Sequence, residues 1–92
     1  MESEIRLDLV IEGRVQGVCY RYSAKIEAES LCIRGSVKNM RNGTVFVTAQ
    51  GDKEAMDNFL KWCFKGPPGA FVKNIKKVHG KTEDISEFII LY

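Results

Sequence analysis

The chain has 92 residues, 45% of them hydrophobic and 28% charged, a composition typical of one small globular domain over residues 1–92. Its 14 basic and 12 acidic residues leave a net charge of +2, too small to indicate a nucleic-acid-binding or membrane-surface protein. The longest apolar runs have only the length of strands, and the polar start from Met1 to Glu4 does not resemble a signal peptide. We therefore expect no membrane span and a cytoplasmic location.

The first half of the chain predicts three strands and a helix. Every second residue from Ile5 to Ile11 is apolar, which indicates a strand with one buried face. A helix is predicted from about Arg21 to Leu31, because apolar residues recur there at helical spacing. Alternating residues predict two further strands over 33–39 and 45–49, and the Asn-Gly pair between them is typical of a tight hairpin turn.

The second half predicts a helix and two strands. Asp52 can cap a helix whose apolar residues recur at helical spacing until Gly66, where a Gly-Pro-Pro-Gly segment ends it. Val72, Ile75 and Val78 then indicate a fourth strand, with lysines on an exposed edge, and alternating residues predict a last strand over 88–92. His79 has no other candidate ligand beside it in the sequence, so we expect a surface residue at the end of a strand.

This order of elements is that of the ferredoxin-like split β-α-β sandwich, an α+β fold with a mainly antiparallel sheet and two helices on one face. We predict a βαββαβ chain with an extra C-terminal strand. The first helix connects two strands that run parallel, so both strands end at one edge of the sheet, beside the N-terminus of that helix. Arg21 and Asn39 are thereby predicted to meet. Asn39 is in phase with the buried residues of its strand, which directs its amide beneath the preceding loop.

The segment that joins the first strand to the first helix has the features of an anion-binding loop. Gly13 and Gly17 allow the turns that let successive N–H groups converge on one point, and the helix adds its unpaired N-terminal amides. Arg21 adds a planar fork of donors suited to phosphate. The spacing excludes the two better-known nucleotide-phosphate loops. On the loop alone, an anion site and an ordinary connection are equally good interpretations. The candidate phosphate-binding residues are Val15, Gln16, Gly17, Val18, Cys19, Tyr20 and Arg21.

The three cysteines, Cys19, Cys32 and Cys63, form no C-x-x-C pair, which argues against a disulfide framework and against a zinc site. Cys32 and Cys63 fall at the apolar ends of helical stretches, where we expect small core residues. Cys19 lies in the loop beside the start of the helix, where an anion-binding environment would also make a thiol more reactive. Only Tyr20 separates it from Arg21, whereas a cysteine-dependent phosphatase needs five residues between the two.

Two separated motifs give the chain a resemblance to the acylphosphatase family. Residues 13–21 match the pattern G-x-V-Q-G-V-x-F/Y-R, and residues 35–39 match G-x-V-x-N. The hairpin over 42–45, the Gly-Pro-Pro segment with its following alanine and valine, and the closing alternation over 88–92 also resemble that family. The similarity therefore covers essentially the whole chain. The departures are Tyr20 for the commoner phenylalanine, Cys19 at a variable position and Asn42 for a frequent aspartate.

The resemblance implies hydrolysis of the carboxyl-phosphate bond of acyl phosphates, giving a carboxylate and inorganic phosphate without a metal or cofactor. It places the family's catalytic arginine at Arg21 and its catalytic asparagine at Asn39, neither of which the departures touch. The implied partner is a small-molecule acyl phosphate, with inorganic phosphate or sulfate as competing anions. We expect a monomer that binds no nucleic acid and no membrane.

Two other functions remain open on the sequence. An RNA-recognition domain has the same fold, and Phe46 is predicted to point away from the helices, where a base could stack. Asp8 and Glu12 on the same face would repel phosphates, however. An accessory module that keeps the anion site within a larger protein is the second alternative. A chain of 92 residues favours the enzyme.

Overall fold

A computed structural model describes residues 3–92 of the chain. Met1 and Glu2, which the predicted domain over 1–92 includes, lie outside the described residues. Two helices and five strands follow one another in the order β1 (Glu4–Arg14), α1 (Tyr20–Ser30), β2 (Arg34–Asn39), β3 (Val45–Asp52), α2 (Lys53–Lys65), β4 (Phe71–Gly80) and β5 (Phe88–Leu91). No helix within the described range is long and apolar enough to cross a bilayer.

The five strands form one sheet in the order β4-β1-β3-β2-β5. β1 and β2 both pair antiparallel with β3, so they run parallel to each other on either side of it. The extra strand β5 pairs parallel with β2 at one edge of the sheet. The α+β fold with its mainly antiparallel sheet is therefore confirmed. Because β1 and β2 are parallel, their C-terminal ends lie on the same side of the sheet.

One face of the sheet carries the core. Leu7, Leu9 and Ile11 of β1 are buried, whereas the residues between them are partly exposed, because successive strand residues point to opposite faces. α1 packs over β2 and β5, and α2 packs over β3 and β4. The largest fully buried side chains include Tyr20 and Phe59 from the two helices. Complete burial of an apolar side chain of this kind stabilises the fold by roughly 1.5–3 kcal/mol.

The two helices begin in different ways. Asp52 caps α2 as predicted, since its carboxylate accepts the Ala55 N–H at 2.8 Å. Gly66 ends α2 at φ 68°, and its N–H donates to the Trp62 carbonyl at 2.7 Å. By contrast, α1 follows Cys19, whose side chain makes no capping hydrogen bond. The N-terminus of α1 is therefore left without a side-chain partner.

One expectation about the cysteines was wrong. Cys63 is buried in the core, but Cys32 is exposed in the turn after α1, at φ 59°. The turn has a local cause, because the Ile33 N–H donates back to the Ala28 carbonyl at 2.8 Å and Ile33 enters the core. The left-handed residue that reverses the chain is thus turned outward. His79 is exposed near the end of β4, as expected.

The connection from β4 to β5 is fixed to the sheet through Gln50, which is buried on β3. Its amide donates to the Glu83 carbonyl at 2.8 Å and accepts the Glu83 N–H at 2.9 Å. Both polar groups of the glutamine are thereby satisfied, which is the requirement for burying them. These contacts bring the chain across the sheet so that β5 can pair with β2 at the far edge.

Candidate active site

Residues 15–19, which we call the anion loop, connect β1 to α1 through two left-handed residues. Gly17 adopts φ 77° and Cys19 adopts φ 62°. Gly13, which precedes the loop, has a different purpose from the one predicted. A Cβ at Gly13 would lie 2.1 Å from the Phe71 carbonyl oxygen, at the point where the register between β1 and β4 shifts. Gly13 therefore permits close pairing with β4. The turns of the anion loop are made instead by the left-handed residues Gly17 and Cys19.

The N-terminus of α1 offers several backbone donors. The Ser23 N–H makes the first helical hydrogen bond, to the Cys19 carbonyl at 3.1 Å. The preceding amides of residues 20–22 have no intrahelical acceptor, as at any helix start. No acidic residue lies in the first turn. The partial positive charge at this end of the helix is therefore unopposed by a local carboxylate, which favours an anion here.

Two side chains hold the anion loop while leaving its backbone accessible. The Gln16 side-chain amide donates to the Met40 carbonyl at 2.7 Å and to the Thr44 carbonyl at 2.9 Å, which ties the loop to the β2–β3 hairpin. The Tyr20 hydroxyl donates to the Cys63 carbonyl at 2.6 Å, which ties the start of α1 to the end of α2. Burial raises the pKa of Tyr20 above its ordinary value, so the phenol stays neutral and remains a donor.

A cleft of about 390 Å³ opens between the anion loop, the end of β2 and the end of β5. Five of the seven predicted phosphate-binding residues line it, together with Asn39. Gln16 and Val18 do not, because Gln16 reaches the hairpin and Val18 packs against the core. Three lining residues, Tyr22, Ile90 and Tyr92, were not predicted from the sequence, and all are aromatic or aliphatic. The complete lining consists of Val15, Gly17, Cys19, Tyr20, Arg21, Tyr22, Asn39, Ile90 and Tyr92.

Arg21 lies against the C-terminal strand. Its guanidinium donates to the Leu91 carbonyl at 3.3 Å, and its central carbon lies 4.9 Å from the ring centroid of Tyr92. One turn further along α1, Lys25 donates to the Phe88 carbonyl at 2.6 Å. α1 is thus attached to β5 at both ends of the strand. Within residues 3–92, Arg21 takes part in no ion pair, so its charge is available to an anion in the cleft.

Asn39 is the last residue of β2 and pairs with Val45 of β3. It is half-buried, and its Oδ1 atom is fully buried without a hydrogen-bond partner among the described residues. A buried amide oxygen that lacks a donor is unfavourable by about 1–3 kcal/mol. An O–H donor in the cleft would remove that penalty. The predicted meeting of Asn39 and Arg21 is confirmed, since both line the same cleft.

Few other types of reactive side chain line the cleft. Its lining contains no histidine and no carboxylate. Across the described part of the chain, no three His, Cys, Asp or Glu side chains are grouped closely enough to hold a metal ion. Cys19 is an exposed free thiol. The groups that could act on a bound molecule are therefore backbone amides, one guanidinium, one side-chain amide, one thiol and the rings and hydroxyls of tyrosines.

The opposite face of the sheet carries Phe46, the residue on which an RNA base could stack. Phe46 lies there between Val10 and Lys38, as predicted. Asp8 occupies the same face and accepts hydrogen bonds from Arg6 at 3.3 Å and Thr48 at 3.1 Å. The Asp8 carboxylate, which pairs with Arg6, adds negative charge beside the position where a base would stack, and this charge opposes a phosphate backbone.

Comparisons with known proteins agree with this geometry. The family model for acylphosphatase matches residues 7–90. The acylphosphatase of Thermotoga maritima is 42% identical over 86 residues, which are 94% of this chain and 96% of that protein. The crystal structure of acylphosphatase from Bacillus subtilis aligns with a TM-score of 0.93 at 31% identity, covering 96% of this chain and 99% of that one. A structure from Coxiella burnetii aligns with a TM-score of 0.92 at 34% identity, covering 96% and 93%. The family predicted from the two motifs is confirmed.

Proposed function

This chain belongs to the acylphosphatase family and is a hydrolase that acts on acyl phosphates, and we propose that its reaction takes place in the cleft between the anion loop and the end of β2. The observation that carries this proposal is the convergence of unpaired helix amides, Arg21 and the partnerless oxygen of Asn39 on one cleft. A phosphoryl group needs these three features: donors for its oxygens, a compensating charge and a positioned attacking water.

The anion loop and Arg21 hold the phosphoryl oxygens. Backbone amides from Val15 to Tyr20 and the guanidinium of Arg21 supply donors that are already fixed before the substrate arrives. Such donors stabilise the charge that develops in the transition state, and removing one typically reduces the rate by about 10²- to 10³-fold. Arg21 is suited to this task because its planar fork can engage two oxygens at once.

Asn39 positions the attacking water. Its buried Oδ1 accepts a hydrogen bond from a water that faces the phosphorus atom, which also satisfies the amide oxygen. The water attacks in line with the departing carboxylate, the phosphorus–oxygen bond to the carboxylate breaks, and inorganic phosphate remains in the anion loop. A carboxylate is a good leaving group, so the reaction requires no strong general acid from the protein.

We propose that the reaction uses neither metal nor cofactor. Arg21 and the backbone amides supply the charge stabilisation that a cation would otherwise give. Inorganic phosphate and sulfate should compete for the anion loop. We propose that the protein acts as a monomer, since one chain supplies every residue that lines the cleft. Three free thiols support a reducing compartment such as the cytoplasm.

The test is hydrolysis of acetyl phosphate by the purified protein, with and without a chelator, beside p-nitrophenyl phosphate as a phosphate monoester. We expect acetyl phosphate to be hydrolysed equally with the chelator present, and the monoester to be a poor substrate. Arg21→Lys should weaken both turnover and inhibition by inorganic phosphate, because lysine lacks the planar fork. Loss of activity on chelation, restored by added metal, would contradict the proposed mechanism.

A further inference from the structure

A second cavity, which we call the helix groove, lies between α1 and α2. Its volume is about 520 Å³, and it is bordered by α1, the C-terminal end of α2 and residues 66–70. Its apolar lining includes Trp62, Pro67 and Ala70, and it contains the side chain of Ile26, which is 49% exposed. None of its lining residues belongs to the proposed catalytic cleft.

Two exposed apolar side chains join the helix groove to the catalytic cleft. Tyr22 lines the cleft and is 62% exposed, and Ile26 lines the groove four residues later on α1. Residues four apart on a helix are neighbours, with Cβ atoms about 5–6 Å from each other. The buried residues of α1 are Tyr20, Ala24 and Ala28, so core packing does not account for either exposed side chain. Since one lines the cleft and the other the groove, we infer that the Tyr22 ring and the Ile26 side chain form a largely apolar path between the two.

The helix groove is also attached to the back of the anion loop. A Cβ placed on Gly66 would lie 3.1 Å from the Tyr20 ring, and one placed on Gly69 would lie 3.7 Å from Val18. The groove wall therefore packs directly on the side chains of residues whose backbone amides the proposed function assigns to the phosphoryl group. This packing holds the groove at a fixed distance from the reaction centre.

The charges that line the cleft favour a substrate whose acyl group is uncharged. Its lining contains one cation, Arg21, which the proposed function assigns to the phosphoryl group. A second anionic group on the substrate would find no second cation among the residues that line the cleft. An uncharged hydrocarbon needs no such partner, and it gains by covering the exposed path.

We propose that the helix groove binds the hydrocarbon chain of the substrate, an inference that rests on the proposed function. The enzyme then prefers straight-chain acyl phosphates that are long enough to pass Tyr22 and reach Ile26. One helical turn of about 5.4 Å separates the two side chains, so the chain must extend about four methylene groups beyond Tyr22 to reach Ile26, a requirement that acetyl and butanoyl groups do not meet. Each methylene that the path and groove cover contributes through the hydrophobic effect, which would raise kcat/KM by about two- to fourfold.

The first experiment measures kcat/KM for acetyl, butanoyl, hexanoyl and octanoyl phosphate. We expect a steady rise from butanoyl to octanoyl phosphate in the wild-type protein. Ile26→Asn should lower the octanoyl-to-acetyl ratio by about tenfold, because it removes the apolar contact and places a polar amide there. The matched control is Phe64→Asn on α2, since Phe64 is 52% exposed but lies outside the groove. This control should leave the ratio unchanged.

The second experiment uses Trp62, the single tryptophan of the chain, as a probe inside the helix groove. Octyl phosphate, kept below its micelle concentration, should shift the tryptophan emission, whereas ethyl phosphate should not. Inorganic phosphate should reverse the shift by competing for the anion loop. This measurement does not depend on turnover.

The outcomes separate the two proposals. Hydrolysis of acetyl phosphate with no dependence on chain length, or with no response of Trp62, would overturn the acyl-groove inference and leave the proposed function standing. An octyl phosphate shift that inorganic phosphate cannot reverse would also overturn it, because the chain would then bind independently of the cleft. Failure to hydrolyse any acyl phosphate would instead contradict the proposed function.

Discussion

The guanidinium of Arg21 is held between the Leu91 carbonyl, at 3.3 Å, and the ring of Tyr92, whose centroid lies 4.9 Å from the guanidinium carbon. Tyr92 is itself 91% exposed, so its ring is oriented by little besides this contact. The Leu91 carbonyl takes one N–H donor of the guanidinium, and the other donors have no acceptor among the side chains of residues 3–92. The last residues of the chain thereby preorganise a side chain that lies 70 positions earlier.

Tyr92→Ala should reduce kcat/KM for acetyl phosphate about two- to fivefold, because an exposed cation–π contact contributes about 0.5–1 kcal/mol. Tyr92→Phe keeps the ring and should retain nearly all the activity. Steady-state kinetics on both variants make this comparison. Equal activity in Tyr92→Ala and the wild-type protein would show that Arg21 needs no support from the ring.

Gln16 should contribute to phosphate binding without touching phosphate. Gln16→Ala removes both hydrogen bonds to the β2–β3 hairpin, so the anion loop loses its attachment there. We expect a loss of about 1–2 kcal/mol in the free energy of unfolding and a several-fold weaker inhibition by inorganic phosphate. The glutamate side chain in Gln16→Glu has nearly the same shape but no N–H donor. This variant should therefore weaken inhibition by inorganic phosphate at least as much as Gln16→Ala does. Inhibition constants that match the wild-type value in both variants would contradict this role.

Tyr20 satisfies a carbonyl that the helix itself cannot. The Cys63 carbonyl would normally accept the N–H four residues later, but that residue is Pro67, which has none. The Tyr20 hydroxyl takes its place at 2.6 Å. Tyr20→Phe should therefore reduce the free energy of unfolding by about 1–3 kcal/mol, measured by urea titration at pH 7, since it leaves a buried acceptor without a donor.

The pH dependence of stability offers a second test of Tyr20. Burial raises the pKa of Tyr20 above 10.0 and raises the pKa of Cys63 from 9.0 to about 12. Both groups stay protonated in the folded chain after they have ionised in the unfolded chain, so the unfolded state binds fewer protons. The free energy of unfolding should then fall as pH rises above 9 for Cys63, and more steeply above 10 for both groups, by about 1.4 kcal/mol per pH unit for each. Tyr20→Phe should remove the additional slope above pH 10. An unchanged slope in that variant would mean that Tyr20 is not protected from ionisation.

The sequence predicted the parts of this site that depend on order and periodicity. Alternation placed β1, β2 and β3, and the crossover through α1 then required Arg21 and Asn39 to meet at one edge of the sheet. Asn39 could be assigned a direction because its phase matched the buried residues of β2. These inferences hold because strand periodicity and crossover handedness are local rules with few exceptions.

Contacts between distant segments could not be predicted in this way. Tyr92 and Ile90 line the cleft because β5 pairs parallel with β2 at the edge of the sheet. No local sequence pattern predicts that pairing. The tie from Gln16 to the hairpin depends on the same tertiary arrangement. Cys32 was misplaced because its apolar neighbours suggested a core position, whereas the left-handed turn needed to bring in Ile33 directs it outward.

The most direct test of the proposed mechanism is a comparison of kcat for acetyl phosphate with the inhibition constant of inorganic phosphate in Asn39→Ala. Because this change removes the water-orienting oxygen and leaves the anion loop intact, kcat should fall by about 10²-fold or more while phosphate inhibition stays nearly the same. Stability should change by only about 1 kcal/mol, and Asn58→Ala on the exposed side of α2 is the matched control. Near-normal turnover in folded Asn39→Ala would contradict the mechanism, as would a loss of turnover explained entirely by unfolding.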